Sequence, residues 1–263
     1  MKGRRLASVL GIAAALMLAL AVATASAATT IGQTSTSTNY ACQAEFDLQT
    51  GVASGASFVV PPGSWLLTSW STFAGLGESN TGGGMSLMIF RPAAVPGSYT
   101  VVAESPFQLL KANVLNTFPA NIVVHGGDLL GFWSGGGAAC ATNTGSPGDV
   151  NPFVFGPEPA VGATVTPFVA LGFLLNISAT ISSPADLLAH LLTDVTGQGP
   201  GTSLADKVTL VQGYVAANNN AAACSTLTDF TSEVHAQNGK MLTAAQASSF
   251  TTQATNIVAT LGC

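Results

Sequence analysis

NIVVHGGDLLGFWSGGGAAC, residues Asn121 to Cys140, is an apolar run, a tight turn at Gly126-Gly127-Asp128, a second apolar run ending in Trp133, a glycine loop and a cysteine. Two short apolar runs joined by a tight Gly-Gly-Asp turn read as a piece of a β-sandwich core. The same punctuation continues outward. Apolar runs over residues 41–48, 57–60, 64–71, 85–90, 99–103, 107–110, 122–124, 129–133, 153–155 and 168–181 are bounded by Gly, Pro, Asn and Ser. SYTVVAE from Ser98 and FLLNISATI from Phe173 alternate polar with apolar, as a sheet with one wet face requires. Helix-length periodic segments are missing between the runs, which disfavours a parallel α/β sheet. The expected architecture is mainly β plus a small α domain: an antiparallel jelly-roll-like β-sandwich followed by a small helical bundle. Glycine-rich loops at 80–84, 135–137 and 145–148 are expected to rim one end of it.

The N-terminus has a different logic. Lys2, Arg4 and Arg5 precede an apolar run from Leu6 to Val22, and Ala25-Ser26-Ala27 follows. This is the plan of a secretory signal peptide over 1–27, cleaved before Ala28, with no transmembrane anchor expected afterwards. Residues 28–39 are small and polar and read as a flexible arm, so the β domain is expected over 40–181.

The chain carries seven basic and twelve acidic residues and is only 7% charged. Cleavage leaves Arg91, Lys111, Lys207 and Lys240 against all twelve acids, a formal charge of −8. Nucleic acid and anionic lipid are thereby excluded as partners, since both need clustered cations.

Near Ser182-Ser183-Pro184 the period becomes helical, opening a domain over 182–263. A first helix is expected over 185–195, stopped by GQGPG at Gly197–Gly201. A second begins at the capping-box variant Ser203-x-x-Asp206, with Leu204, Val208, Val211 and Val215 on one face. A third carries Cys224, Leu227, Phe230 and Val234 and stops at Asn238-Gly239. Thr243-x-x-Gln246 starts the fourth, striped by Ala247, Phe250, Ala254, Ile257 and Leu261. Four widely spaced cysteines in an exported chain point to two disulfides rather than to a metal site. Three pairings are possible; sequence order and the expected helical hairpin favour Cys42–Cys140 and Cys224–Cys263.

Leu204-Ala-Asp-Lys207, Ala222-Ala-Cys224 with Leu227 and Phe230, Val234-His-Ala-Gln-Asn-Gly-Lys240, Leu242-Thr-Ala-Ala-Gln246 and Leu261-Gly-Cys263 resemble the FIMAH-type helical module. That module is a C-terminal domain of secreted bacterial proteins, polysaccharide-degrading enzymes among them, and the resemblance implies fold and disulfide but no chemistry. Thr68-Ser-Trp-Ser-Thr72, Met88-Ile-Phe-Arg-Pro92, Tyr99-Thr-Val-Val-Ala-Glu-Ser105, Asn116-Thr-Phe118 and Val123-Val-His-Gly-Gly-Asp-Leu-Leu-Gly131 resemble a β-sandwich domain of secreted and surface proteins of high-GC Gram-positive bacteria. Gly126 stands where that pattern has proline.

Of the three tryptophans, Trp65 and Trp133 lie in apolar runs and read as core, while Trp70, between Ser69 and Ser71, is expected to face out by alternation. Trp70, with Asn80 in a neighbouring glycine loop, is therefore the expected sugar-binding platform. His125 reads as a turn residue, His190 as a helix-face residue and His235 as a helix C-terminal residue; no nucleophile elbow accompanies them. Asp128, Asp149 and Glu158 could gather around Ca²⁺, but without a D-x-D-x-D run they read as turn residues. Glu45/Asp47 and Glu78/Glu104 are the acid pairs that a glycosidase reading would need. No catalytic residue, metal or cofactor is expected. The functional expectation is a secreted, non-catalytic binding or cell-envelope protein, with extracellular polysaccharide or cell wall as partner. A structural or adhesive envelope protein comes second and a glycan-active hydrolase third.

Overall fold

The computed structural model describes residues 28–36, 40–74, 83–142, 146–167 and 169–263, and the side chains of all of these except 40, 138–142 and 169–171. The expected signal peptide, Asn80 and Glu78 lie outside the described residues.

Thirteen strands precede four helices: β1 (Thr29–Gln33), β2 (Tyr40–Leu48), β3 (Ser64–Ala74), β4 (Gly84–Pro92), β5 (Tyr99–Glu104), β6 (Gln108–Leu109), β7 (Val114–His125), β8 (Leu129–Thr142), β9 (Asn151–Phe155), β10 (Thr164–Val165), β11 (Val169–Leu171), β12 (Leu174–Leu175) and β13 (Ile177–Ser182), then α1 (Pro184–Val195), α2 (Ser203–Ala216), α3 (Asn220–Gln237) and α4 (Ala244–Leu261). One sheet has the order β1-β13-β3-β7. The other runs β10-β5-β4-β8-β2-β9-β11, with β12 on β8 and β6 on β4. Every strand pair in both sheets is antiparallel. Leu67, Trp70 and Ile177 from the first sheet and Leu87, Leu130 and Phe132 from the second belong to one buried cluster. A second cluster, Phe46, Leu48, Met88, Phe90, Val101 and Leu129, occupies the other face of the larger sheet, so β2 and β4 are buried on both sides.

Three expectations about the β region are corrected. Residues 28–39 are not wholly an arm: Thr29–Gln33 pairs residue for residue with β13 as an edge strand. The reason is Ile31, which is buried in the shared core. Gly135–Gly137 is not a loop but the interior of β8, where Gly136 and Gly137 take positive φ beside a register shift against β2. Only glycine adopts that bulge without strain, and it lets one strand continue through a stretch that reads as a turn. The run from 168 to 181 is three short strands rather than one.

The tight turn at Gly126-Gly127-Asp128 forms as expected, and it carries the chain from β7 in the smaller sheet to β8 in the larger one. Gly126 donates its N–H to the Gly63 carbonyl at 2.8 Å, a bond that proline lacks the hydrogen to make. Asp128 is buried, accepts the His125 N–H at 2.8 Å and takes both Arg91 nitrogens at 2.7 and 2.9 Å. One carboxylate thus closes the turn and ties it to β4.

The helices share their own core, including Leu188, Leu204, Val208, Leu227, Phe230 and Phe250. Ser183 and Asp186 make a capping box ahead of α1, with Pro184 in the first turn; Thr243 and Gln246 do the same for α4. Gly262 ends α4 in the left-handed conformation. The start of α2 differs from expectation: its N-cap is Thr202, and Ser203 lies inside the helix, bonded to Glu233 and Lys207. Ser203 is recruited across to α3 because the Lys207–Glu233 ion pair, at 2.6 Å, sits beside it. Cys224 and Cys263 are joined, 39 residues apart in sequence with Cα atoms 6.1 Å apart, bringing the first turn of α3 to the end of α4. Asn220 reinforces the closure by donating to the Leu261 carbonyl at 3.1 Å. Cys42 is also disulfide-bonded. The side chain of Cys140, its expected partner, lies outside the described ones.

Candidate functional site

Trp70 does not face solvent. Its ring is 1% exposed, belongs to the shared core and packs on Phe118 with centroids 4.8 Å apart. The alternation that predicted an outward indole is reset by a register shift of β3 between Leu67 and Ser69, where its pairing with β7 skips a residue. Ser71 and Thr117, bonded to each other at 2.8 Å, show the exposed side of the strand instead. Trp65 donates its indole N–H to Pro61 O at 3.1 Å, and Trp133 donates to Gly156 O at 3.1 Å while packing on Phe107. Two indoles donate to the protein's own carbonyls and the third, Trp70, is packed in the core with its N–H unpartnered. The expected Trp70–Asn80 platform therefore loses its aromatic member.

The histidines stay apart. His125 ends β7 and is exposed, His190 is exposed on α1, and His235 is in the last turn of α3. Asp128 is committed to Arg91, Asp149 accepts from Ala53 N at 2.7 Å and from Ser146 N at 2.5 Å, and Glu158 is exposed. The calcium grouping considered for these three does not assemble among the described residues; the turn reading holds for Asp128 and Asp149.

One acid pair does come together. Glu45 and Asp47 alternate with Phe46 and Leu48 on β2, so both point to the side of the sheet that carries the shared core. In register, Glu45 lies opposite Ser134 of β8 and Phe155 of β9, and Asp47 opposite Phe132 and Phe153. Their exposures are 1% and 3%. Cys42, Glu45 and Asp47 each bring a ligand-type atom within 4.8 Å of the others. The Cys42 sulfur is held in a disulfide, so its 4.0 Å approach to Asp47 Oδ2 is a packing contact with no proton to donate. Glu45 Oε1 accepts the Gln43 N–H at 3.2 Å and Asp47 Oδ1 accepts from Asn151 Nδ2 at 3.1 Å. Glu45 Oε2 has no partner.

Burial lifts the titration of Glu45 above the ordinary carboxylate range, with the Gln43 N–H opposing it. Asp47 is lifted further, first by burial and then by the negative charge of Glu45, against the pull of Asn151. Glu104, from the other pair considered, is raised by desolvation and then by the negative charge of Glu158; its expected partner Glu78 lies outside the described residues.

Beside the pair runs a polar staple that the sequence does not advertise. Gln49 Nε2 donates to the carbonyls of Gly51, Val150 and Phe173 at 2.7, 3.2 and 3.1 Å, and its Oε1 accepts from Leu175 N at 2.9 Å. Asn151 Oδ1 accepts from Phe173 N at 3.3 Å. These two amides satisfy backbone groups where three short connections meet.

The described surface offers shallow concavities: about 390 Å³ at the start of α2, 200 Å³ beside Gln49–Val59, and 280 Å³ between sheet and helices at Thr68, His190 and Asn256. A tryptophan lines none of these three, and none is lined by Glu45 or Asp47. Among the described residues, no helix is long and apolar enough to cross a membrane. In comparison with known proteins, no family model and no curated sequence matches the chain.

Proposed function

We propose that the chain is a secreted, non-catalytic protein of the extracellular or cell-envelope space with a structural or adhesive role. In this reading the two sheets form a jelly-roll-like β-sandwich, and the four helices form a FIMAH-type bundle at its end. The observation that carries it is the placement of Glu45 and Asp47. The acid pair whose spacing would suit glycoside hydrolysis is sealed inside, with no described concavity leading to it. The Cys224–Cys263 disulfide is compatible with an oxidising compartment. A surface built from Ser, Thr, Asn and Gln with few charges suits contact with neutral, hydrated polymers. With all three indoles engaged internally, the structural role ranks above recognition of a single sugar.

The test is fractionation of the producing cells with an antibody against residues 28–263, together with N-terminal sequencing. Recovery from wall or medium with Ala28 at the N-terminus supports the proposal. Cytoplasmic recovery with the leader attached overturns it, and so does release of reducing sugar from any member of a polysaccharide panel. Retention on one polymer without hydrolysis would restore the carbohydrate-binding reading.

A further inference from the structure

We propose that Glu45 and Asp47 form a proton-holding latch inside the fold: the pair stays closed while it carries a proton and loosens the packing around β2 when both carboxyls ionise. The inference does not depend on the proposed role, since it rests on the interior alone.

Two carboxyls within 4.8 Å of each other, both buried, place up to two negative charges away from the protein surface. Something must neutralise them: a cation from the protein, a bound metal or a proton. The first is missing among the described residues, where the ion pairs are Arg91–Asp128 and Lys207–Glu233. Among the described residues, the strands around the pair bring no titratable group to that side: β8 offers Phe132 and Ser134, β9 offers Asn151 and Phe153, and β4 offers Met85 and Leu87. The first sheet contributes apolar side chains to the same core, Ile31, Leu67, Trp70 and Ile177 among them. Asp149, on the neighbouring connection, spends both oxygens on backbone N–H groups.

A metal is poorly served. The third member of the group is a disulfide sulfur, Asn151 Oδ1 already accepts from Phe173 N, and Ser134 Oγ accepts from Gly136 N at 3.1 Å. Calcium asks for six or more oxygens, and two carboxyls supply too few. A proton needs only the acceptor that is left over, and Glu45 Oε2 is that acceptor.

Both carboxyls titrate higher in the folded chain than in the unfolded one, so folding takes up protons. The stability this contributes is whole below the unfolded carboxylate range, at about pH 4. It is lost as pH rises through the raised folded values. The latch therefore favours the folded state in acid and weakens it in alkali.

The experiment is thermal unfolding of the oxidised mature protein from mildly acid to mildly alkaline pH, beside Asp47→Asn and Glu45→Gln. The wild type is expected to melt several degrees higher at the acid end. Asp47→Asn, which keeps the acceptor for Asn151, should flatten that slope and melt above the wild type in alkali. Because a variant can fail to fold, proton uptake is also measured when the wild type refolds in weakly buffered solution from the unfolded carboxylate range up to neutral pH, and net uptake should be found. Three results overturn the latch: no uptake, a slope unchanged in the variants that fold, or a stoichiometric metal in the purified protein whose removal by chelator lowers the melting temperature.

Discussion

Removing the Cys224–Cys263 disulfide should uncouple the stability of the helices from that of the sheets. The bond closes a loop of 39 residues' separation, and the chain-entropy relation makes its loss worth about 4 kcal/mol. For a set of helices this size, that is roughly 15–30 °C of melting temperature. The remaining tie at that end, Asn220 to the Leu261 carbonyl, is exposed and contributes little. The chain supplies its own two-channel assay. Trp65, Trp70 and Trp133 are all in β3 and β8, so indole fluorescence follows the sheets, while circular dichroism at the helical band follows α1 to α4. Reductant is unsuitable because Cys42 is bridged too; the double variant Cys224→Ala/Cys263→Ala is the right perturbation. The helical transition should fall by the stated amount and the fluorescence transition stay within a few degrees. A single transition moving together in both channels would refute the separation of the two cores, and an unmoved helical transition would refute the entropy argument.

Trp70→Ala should cost about 3–5 kcal/mol in the fluorescence or near-ultraviolet transition, as a buried aromatic removed from a core does, while leaving any polymer retention of the folded fraction unchanged. Asp128→Ala strips Arg91 of its two bonds and the His125 N–H of its acceptor, and is expected to lower the unfolding free energy from denaturant titration by about 2 kcal/mol. Gln49→Ala leaves the Leu175 N–H unpaired inside and should cost about 3 kcal/mol by the same measurement. Ser183→Ala, which removes the hydroxyl half of the α1 capping box, should lower only the helical transition, by about 1 kcal/mol.

The helices were the most legible part of the chain, α1 and α4 above all, because these two carry their boundaries as side chains: Ser183 with Pro184, Thr243 with Gln246, and Gly262. The tight turn at Gly126–Asp128 was equally plain, although its crossing from one sheet to the other was not. What local pattern missed was set by partners distant in sequence. Thr29–Gln33 is too polar to announce itself, and becomes a strand because β13 offers it an edge and the core takes Ile31. Trp70 was misread because alternation assumes an unbroken register, and the shift in β3 is invisible until β7 is placed against it. Glu45, Asp47 and Gln49 alternate with Phe46 and Leu48 as though one face were wet. Both faces are buried because a second apolar cluster covers the other side of the same sheet.

The pairing of Thr29 with Ile181 has a consequence for when the chain can fold. The two partners are separated by nearly the whole β region, so the smaller sheet gains its outer strand only after the last strand is in place. Closing so long a loop places this contact late and makes acquisition of the native sheets slow compared with the local hairpins and helices. Until then the apolar flank of β13 has no cover on that side. If the proposed leader is removed before Ala28, the cut falls one residue ahead of β1, and cleavage would then free the strand that finishes the smaller sheet.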